Sequence, residues 1–232
     1  MSDKTRLRGQ RAGTVINNTS KKQEKEVIAA LKEVQERLLR AFPSVKLRHE
    51  PLILLKDVVD HLRESFPDED FFYRLATSFM RPDGGILYIV DSKGKTYPIL
   101  VSEVKNQGTN DLRAQEGKPR QAQGNAIERL GKNVIGFRTF LLPEGIFPFV
   151  CFGYGCDFDE DSSILDRVIT IAMFGKLNTV YLHNEGCFNR GSFFFRKKKW
   201  GIDEMVRVMY EIAEKSIYYY FSKYGKEAFG AL

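Results

Sequence analysis

The stretch that decides the fold lies at residues 81–105 and reads RPDGGILYIVDSKGKTYPILVSEVK. Two mainly apolar runs, 85–90 and 97–104, are separated by the polar residues 91–95, whose Asp, Ser and Gly have turn chemistry. A strand-like run, a short turn and a second strand-like run predict a β-hairpin.

Three charged side chains fall at one end of this hairpin. Side chains alternate along a strand, so Glu103 and Lys105 share one face while Val104 turns into the core. Asp83 precedes the first strand and is expected at the same end of the sheet. Two carboxylates within reach of one another suit a hard divalent cation such as Mg²⁺, which prefers oxygen ligands and keeps several waters. The pattern predicts a metal-dependent nuclease site, in which Lys105 holds or deprotonates the attacking water.

A purely structural role is the alternative for each of these residues. Asp83 follows Pro82, and an Asp in a turn is common in proteins of every kind. Glu103 and Lys105 could form an exposed ion pair on an edge strand. The apolar neighbours on both sides argue against that alternative, because charges at the end of an apolar strand need a compensating reason.

Length and composition are compatible with an intracellular enzyme. The 232 residues allow one α/β domain with a sizeable core. A formal charge of +6 favours a polyanionic partner. Three cysteines leave one unpaired in any disulfide scheme and form no zinc pattern with the histidines, which indicates a reduced, cytoplasmic protein. No apolar run approaches the length of about 20 residues that spans a bilayer, so no membrane partner is expected.

Periodicity along the chain predicts a single domain at 20–232, preceded by a basic flexible arm at 1–19. Apolar residues at helical spacing predict helices at 20–42, 54–66, 125–141, 163–174 and 203–224. Further strands are expected at 147–152 and 179–183, and a long functional loop at 106–123. Strands alternating with helices predict an α/β fold, a mixed central β-sheet flanked by α-helices.

Three motifs follow one another along the chain: RPDGG at 81–85, EVKNQG at 103–108 and GNAIER at 124–129. Together with ILDR at 164–167 and Trp200 before the last helix, they resemble the EcoRI-type restriction endonucleases of the PD-(D/E)xK nuclease superfamily. The resemblance covers roughly residues 80–220. It implies a restriction-endonuclease-like core and a homodimer that cuts a palindromic site in double-stranded DNA.

The resemblance also assigns the chemistry. The matching catalytic positions are Asp83, Glu103 and Lys105, and Mg²⁺ is expected on Asp83, Glu103 and the carbonyl of Val104. No organic cofactor is implied. Coordination lowers the pKa of a bound water from about 15.7 toward about 7 in favourable sites, so hydroxide forms near neutral pH.

Recognition of an AATT core in the major groove is implied for the GNAIER segment, through Asn125, Glu128 and Arg129, with Ala126 beside the bases. Asn pairs bidentately with adenine N6 and N7, and a Glu held by an Arg accepts from an adenine amino group. Further DNA contacts are implied at Arg81, Gln107, Gln121, Ala122, Gln123, Lys132, Asn133 and Arg167. Of these, Lys132 and Asn133 are expected to hold phosphates and fix the register.

The sequence departs from the family where the outer base pair is contacted. Gln121, Ala122 and Gln123 precede the GNAIER segment, where one relative carries an arginine before the glycine. Only Arg167 stands where the family type has two arginines one helical turn apart. Because a Gln amide can donate or accept, it satisfies either purine at N7. We therefore expect an AATT core with a relaxed outer base pair.

Two other functions remain open at this point. A structure-specific repair or resolving nuclease would use the same triad, although it needs no base-contacting GNAIER segment. A catalytically silent DNA-binding protein would not need the intact triad. The basic stretch 196–200 is either a phosphate-binding patch or the end of a basic hairpin, and Tyr218, Tyr219 and Tyr220 are expected at the core and rim of the last helix.

Overall fold

The computed structural model describes residues 15–106, 113, 115–119, 125–155, 158, 164, 167 and 192–230, with the backbone alone at 15–20 and 125–126. Its elements, in chain order, are α1 (Val15–Ala41), β1 (Lys46–Glu50), β2 (Ile53–Leu54), α2 (Leu55–Ser65), β3 (Phe79–Met80), β4 (Gly85–Val90), β5 (Thr96–Asn106), α3 (Asn125–Leu141), β6 (Phe149–Tyr154), β7 (Phe193–Arg196) and α4 (Ile202–Tyr224). Single 3₁₀ turns follow α3 at Leu142–Glu144 and α4 at Glu227–Phe229.

Five of the strands form one mixed sheet in the order β1-β4-β5-β6-β7. The pairs β1–β4 and β4–β5 are antiparallel, whereas β5–β6 and β6–β7 are parallel. Strands β2 and β3 form a separate antiparallel pair. The predicted fold class, a mixed sheet flanked by helices, is confirmed.

The predicted β4–β5 hairpin is confirmed, and its turn is built by one side chain. The carboxylate of Asp91 accepts hydrogen bonds from the backbone N–H groups of Lys93 (2.9 Å) and Lys95 (2.8 Å). Gly94 has a φ of +85°, which a residue without a Cβ adopts at little cost. The turn therefore fixes the register near Val90, and a one-residue shift between Leu87 and Tyr88 sets the register that pairs Gly85 at the start of β4 with Ser102 of β5.

The sheet is buried on both faces. Leu87 and Ile89 of β4 belong to a core cluster with α1 and α4, while Ile86 and Tyr88 belong to a second cluster with α2 and α3. A strand buried on both sides is expected to be a continuous apolar run, as β4 is. On β5, Val104 lies in the first cluster, so its neighbour Glu103 is directed toward the side of α2 and α3.

The last helix completes the first core. Tyr220 is fully buried and its hydroxyl donates to the carbonyl of Pro98 (3.2 Å), whereas Tyr218 is half exposed. The expectation that the three tyrosines occupy core and rim is confirmed for these two. None of the helices among the described residues has an apolar stretch long enough to cross a membrane.

The elements differ from the sequence predictions in several places. Helix α1 begins at Val15, before the predicted start at Ser20, so it includes residues assigned above to the arm. Its first turns carry few apolar side chains, and periodicity marks only the part of a helix that packs on a core. Strand β6 lies two residues later than expected, at Phe149–Tyr154. The helix and strand expected at 163–174 and 179–183 lie outside the described residues.

Two strands of the central sheet were not predicted. Strand β1 is a polar, partly exposed edge strand, so it lacks an apolar signature. Strand β7 is the short run Phe193–Arg196, of which only Arg196 was assigned from the sequence, as the beginning of a basic stretch. Both pair at the outside of the described sheet, where one neighbour is enough to hold a strand.

Candidate active site

The RPDGG motif forms the turn that leads into β4. The Gly85 N–H donates to the Pro82 carbonyl (3.1 Å), and Gly85 has a φ of +81°. A Cβ on Gly84 would lie 2.1 Å from the Ser102 hydroxyl oxygen, so only glycine permits this approach to β5. The two glycines hold the backbone of Asp83 directly against the end of β5.

Beyond this turn β5 continues without β4 beside it. The last backbone bond between the two segments is from the Gly84 N–H to the Ser102 carbonyl (3.0 Å). The next inward-facing N–H, that of Val104, donates instead to Oδ2 of Asp83 (3.2 Å). The N–H and C=O of one strand residue point to the same side, so the Val104 carbonyl also faces the Asp83 side of the strand.

Glu103 is the most enclosed member of the site, with 1% of its surface exposed. Its Oε2 accepts a hydrogen bond from the Asp83 N–H (3.0 Å). Its Oε1 accepts from the Asn133 side-chain amide (2.9 Å) and from the Lys105 ammonium. Lys105 also reaches Oδ2 of Asp83 (3.3 Å). The predicted triad is therefore one connected cluster at the end of β5.

The cluster contains two carboxylates and one ammonium group, all of them largely buried from solvent. Burial raises the pKa of Glu103 above its usual value, and the nearby Asp83 carboxylate adds to that rise while the Lys105 charge opposes it. Burial alone would lower the pKa of Lys105, but the carboxylates of Glu103 and Asp83 outweigh it and raise the pKa. With Lys105 charged, ionised carboxylates leave an excess of negative charge that a cation can neutralise.

The donor set fits a hard divalent cation. Carboxylate oxygens of Asp83 and Glu103 and the Val104 carbonyl are the oxygen ligands that Mg²⁺ prefers, and no sulfur or imidazole stands among them. The described residues contain no group of three or more acidic, His or Cys side chains suited to a metal ion. A metal here therefore depends on two side chains, a backbone carbonyl and solvent.

Comparison with known proteins agrees with this geometry. Residues 9–164 match the profile of the family described as restriction endonuclease EcoRI. The chain belongs to the EcoRI restriction endonuclease family. The predicted recognition and the predicted class of enzyme, a type II site-specific deoxyribonuclease, are thereby confirmed. Members of this family act on double-stranded DNA and generally need a divalent metal ion.

Two curated relatives indicate how far the similarity reaches. The type II restriction enzyme RsrI of Cereibacter sphaeroides is 28% identical, and the alignment covers 79% of each chain. The type II restriction enzyme EcoRI of Escherichia coli is 30% identical over 59% of this chain and 52% of its own length.

Several of the residues that are expected to contact DNA lie in the first turns of α3. Asn125 and Ala126 are its first two residues, and their side chains lie outside the described part. Glu128 and Arg129 in the next positions are exposed, as is Lys132 one turn later. Their roles in recognition stay predictions. Exposure near the catalytic end of the sheet is what those roles require.

Asn133 has a partner that the sequence analysis did not foresee. It was expected to hold a phosphate, yet its amide donates to the carboxylate of Glu103. The reason is the position of Asn133 on α3: Leu130, Val134 and Phe137 face the sheet, and Asn133 stands at the edge of that buried stripe. The helical spacing of those apolar residues was the available signal.

Two of the other expected DNA contacts belong to the described residues. Arg81 and Arg167 are exposed. Gln107, Gln121, Ala122 and Gln123 lie outside the described residues. A further neighbour that the sequence analysis missed is Cys151, which is aligned with Glu103 in the β5–β6 pair and whose thiol pKa is raised well above its usual value by burial.

Part of the basic stretch after β7 holds the fold together. The Arg196 guanidinium donates to both carboxylate oxygens of Glu204 (2.8 and 2.5 Å) and lies 3.7 Å from the ring centre of Trp200. Lys199 pairs with Glu26 of α1 (2.6 Å). For Arg196 and Lys199 these contacts favour the structural alternative over a phosphate-binding patch.

Proposed function

We propose that this chain is a Mg²⁺-dependent type II restriction endonuclease that cuts a palindrome with an AATT core and leaves a four-base 5′ extension. The observation that carries the proposal is the cluster of Asp83, Glu103 and Lys105 at the end of β5. This cluster contacts α3, the helix that begins with the GNAIER segment, through Asn133. Catalytic and base-contacting residues therefore belong to adjoining elements.

Asp83, Glu103 and the Val104 carbonyl would hold the metal ion. When bound, Mg²⁺ lowers the pKa of a coordinated water and stabilises the negative charge that develops on the phosphate. Burial of Glu103 keeps bulk water from competing for its carboxylate. Because the Asp83 N–H bonds the Glu103 carboxylate and the Val104 N–H bonds the Asp83 carboxylate, the two acidic side chains stay in fixed relation.

Lys105 stabilises charge in this proposal. Its raised pKa keeps the ammonium protonated at neutral pH, so it is unsuited to accept a proton from water. From its position between the two carboxylates it can donate hydrogen bonds to the attacking water or to a phosphate oxygen. Of the two roles left open by the sequence, holding the water is the one that this charge state supports.

Recognition follows from the residue types at the start of α3. Asn125 provides an adenine-specific amide, and Glu128 with Arg129 provides an acceptor and a fork of donors on an exposed surface. The flanking residues Gln121 and Gln123 favour a relaxed outer base pair. A palindrome is cut by two protomers related by a two-fold axis, so we propose a homodimer.

The deciding experiment is digestion of a plasmid of known sequence with purified protein and Mg²⁺, followed by sequencing of the fragment ends. Each expected end carries a 5′ AATT extension, and the base pair that flanks AATT differs from one fragment to another. Ends with G alone beside AATT would contradict the relaxed outer pair and leave the chemistry intact. Ends with no common sequence, or cutting confined to forks and junctions, would favour the structure-specific nuclease instead.

A binding assay on the same plasmid fragments distinguishes the proposed nuclease from a catalytically silent DNA-binding protein. Specific binding with no cleavage across a series of divalent metal ions would support that alternative. The matched control is Glu103→Gln, which removes one charge from the metal site and keeps the side-chain volume. Cleavage by the wild type and none by Glu103→Gln ties the activity to this site and excludes a contaminating nuclease.

A further inference from the structure

Asn133 touches the catalytic carboxylate at the atom where Lys105 also binds. Its amide nitrogen lies 2.9 Å from Oε1 of Glu103, and Lys105 donates to the same oxygen. An amide nitrogen is the group that a carboxylate accepts from, so the orientation of the Asn133 amide is set by its partner. The contact joins α3 to β5 across 30 residues of sequence.

We infer that Asn133 is a positioning residue for Glu103, and this inference rests on the proposed function. Glu103 has three rotatable side-chain bonds, and its carboxylate is held by the Asp83 N–H on one oxygen and by Asn133 and Lys105 on the other. When Lys105 turns toward a phosphate or a water, Asn133 is the donor that keeps Oε1 in place. The carboxylate then stays directed at the metal position.

The position of Asn133 on α3 gives this contact a second consequence. Arg129 precedes Asn133 by four residues, so the two lie on neighbouring turns of the same helix face. Arg129 is exposed at the end of α3 that begins with the proposed base contacts, whereas Asn133 is half-buried against the catalytic strand. A shift of α3 on binding to bases would therefore move a hydrogen-bond donor of Glu103.

The inference differs from the phosphate contact expected from the sequence, and the two roles predict different losses. A phosphate contact adds affinity for every DNA sequence and needs no metal. A group that orients a metal ligand changes the metal affinity, typically by about 10- to 100-fold when it is removed. Two measurements therefore distinguish a phosphate contact from a positioning residue. One is the DNA affinity without metal, and the other is the concentration of Mg²⁺ that gives half-maximal cleavage.

The test compares Asn133→Ala, Asn133→Gln and Lys132→Ala with the wild type. We expect Asn133→Ala to raise the half-maximal Mg²⁺ concentration about 10- to 100-fold, and to bind DNA in EDTA as the wild type does. Asn133→Gln, which keeps an amide donor on a longer side chain, should recover part of the loss. Lys132→Ala should show the opposite pattern, with weaker binding to all sequences and an unchanged Mg²⁺ requirement.

A second readout needs neither DNA nor cleavage. The rise in melting temperature caused by Mg²⁺ alone should be smaller for Asn133→Ala than for the wild type at equal metal concentration, with similar melting temperatures in EDTA. Weaker DNA binding in EDTA with an unchanged metal response would overturn the inference in favour of a phosphate contact, and so would no change in either readout. A wild type that takes up Mg²⁺ but cuts no DNA would contradict the proposed function and leave this metal readout decisive for Asn133.

Discussion

Glu103 shows at the scale of one residue why this site suits a cation. A carboxylate with 1% exposure is tolerated only where hydrogen bonds and opposite charge replace its water. The Asp83 N–H, Asn133 and Lys105 supply them, yet burial still raises the pKa of Glu103. In the proposed function, a bound divalent ion would supply the positive charge that the protein itself does not provide.

Removing either carboxylate tests this arrangement. We expect Glu103→Gln and Asp83→Asn to lower the cleavage rate by more than about 100-fold, because even partners of metal ligands cost about 10- to 100-fold when removed. Specific DNA binding should be retained or tighter, since each change removes negative charge near the scissile phosphate. Single-turnover cleavage and a gel-shift assay without metal measure the two effects. Substantial cutting by both variants would remove this triad from the mechanism.

The raised pKa of Glu103 predicts the pH dependence of metal uptake. A metal binds the ionised carboxylate, so its affinity falls as the pH drops through the pKa of Glu103 in the folded protein. That pKa lies above 4.5, and uptake should weaken at a higher pH than for an exposed glutamate. Mg²⁺ affinities from thermal shifts between pH 8 and pH 4 check this. Affinity that stays constant down to pH 4.5 would contradict it.

The same shift has an opposite sign for the stability of the metal-free protein. A carboxyl whose pKa is raised by folding holds its proton more tightly in the folded state than in the unfolded chain. The stabilisation from Glu103 is therefore full below the pKa of the unfolded chain and is lost as the pH rises through the raised folded pKa. Glu103→Gln removes this dependence, which makes it the matched control for melting experiments.

At the scale of elements, the turn of residues 82–85 and the strand β5 form one unit. Asp83 takes the place that a β4 residue would occupy beside Val104, because the turn ends β4 while β5 runs on to Asn106. The edge of β5 that β4 does not cover thus becomes part of the site. The close approach of Gly84 to Ser102 is the packing contact that makes this possible.

Gly84→Ala tests that contact. Its Cβ would lie 2.1 Å from the Ser102 hydroxyl oxygen and 3.2 Å from the Ser102 Cβ, so the turn must move. We expect a loss of about 1–3 kcal/mol in stability, as for other over-packed sites, and a lower cleavage rate because Asp83 moves with the turn. Adding Ser102→Ala should recover part of both. Gly201→Ala, where a Cβ meets nothing closer than 3.3 Å, is the control.

Arg196, in the segment from β7 to α4, is the subject of a separate prediction. Arg196→Ala breaks the bond to Glu204 and the contact with Trp200, each worth up to about 1 kcal/mol at a partly exposed position. We expect a melting temperature lower by about 2–6 °C. The salt dependence of DNA binding should stay unchanged, because Arg196 holds the fold. A reduced salt slope would assign it to a phosphate instead.

Glu204 adds a pH signature to this element. Its pKa is lowered to about 2, chiefly by the hydrogen bond from Arg196. A carboxyl with a depressed folded pKa stabilises the fold above its unfolded pKa, and that contribution is lost as the pH falls toward about 2. Arg196→Ala should therefore melt closer to the wild type in acid than at neutral pH.

At the scale of the whole molecule, the chain places the cluster of Asp83, Glu103 and Lys105 at one end of the sheet. One protomer has one such cluster among its described residues, so cutting both strands of a palindrome needs two protomers. The formal charge of +6 favours approach to DNA at low salt. The proposed homodimer and the positive charge would therefore act on the same substrate.

Mixed dimers test the assembly. Wild-type chains co-expressed with tagged Glu103→Gln chains should give a heterodimer with one intact site, and it should nick a supercoiled plasmid where the wild type linearises it. Gel electrophoresis distinguishes open-circular from linear DNA. Rapid linearisation by the purified heterodimer, or the absence of any dimer on DNA, would contradict the proposed homodimer.

Much of the site could be predicted from the sequence because its motifs are local. The alternation of β5 places Glu103 and Lys105 on one face whatever packs beside it, and the paired glycines mark the turn that carries Asp83. The apolar runs likewise predicted the hairpin and the helices that pack on cores. Edge strand β1 and the first turns of α1 were not predicted, because both stretches contain too few apolar residues to show a hydrophobic periodicity.

What the sequence by itself determined is therefore the grouping of Asp83, Glu103 and Lys105, the hairpin and the α/β class. Only the tertiary structure decided that Asn133 binds Glu103, that Arg196 binds Glu204 and stacks on Trp200, and that β6 runs parallel to β5. Hydrophobic periodicity indicates which face of a helix or strand is buried, but it does not indicate which element packs against that face. That choice depends on how helices and strands distant in sequence pack together, and it assigned Asn133 to the catalytic carboxylate.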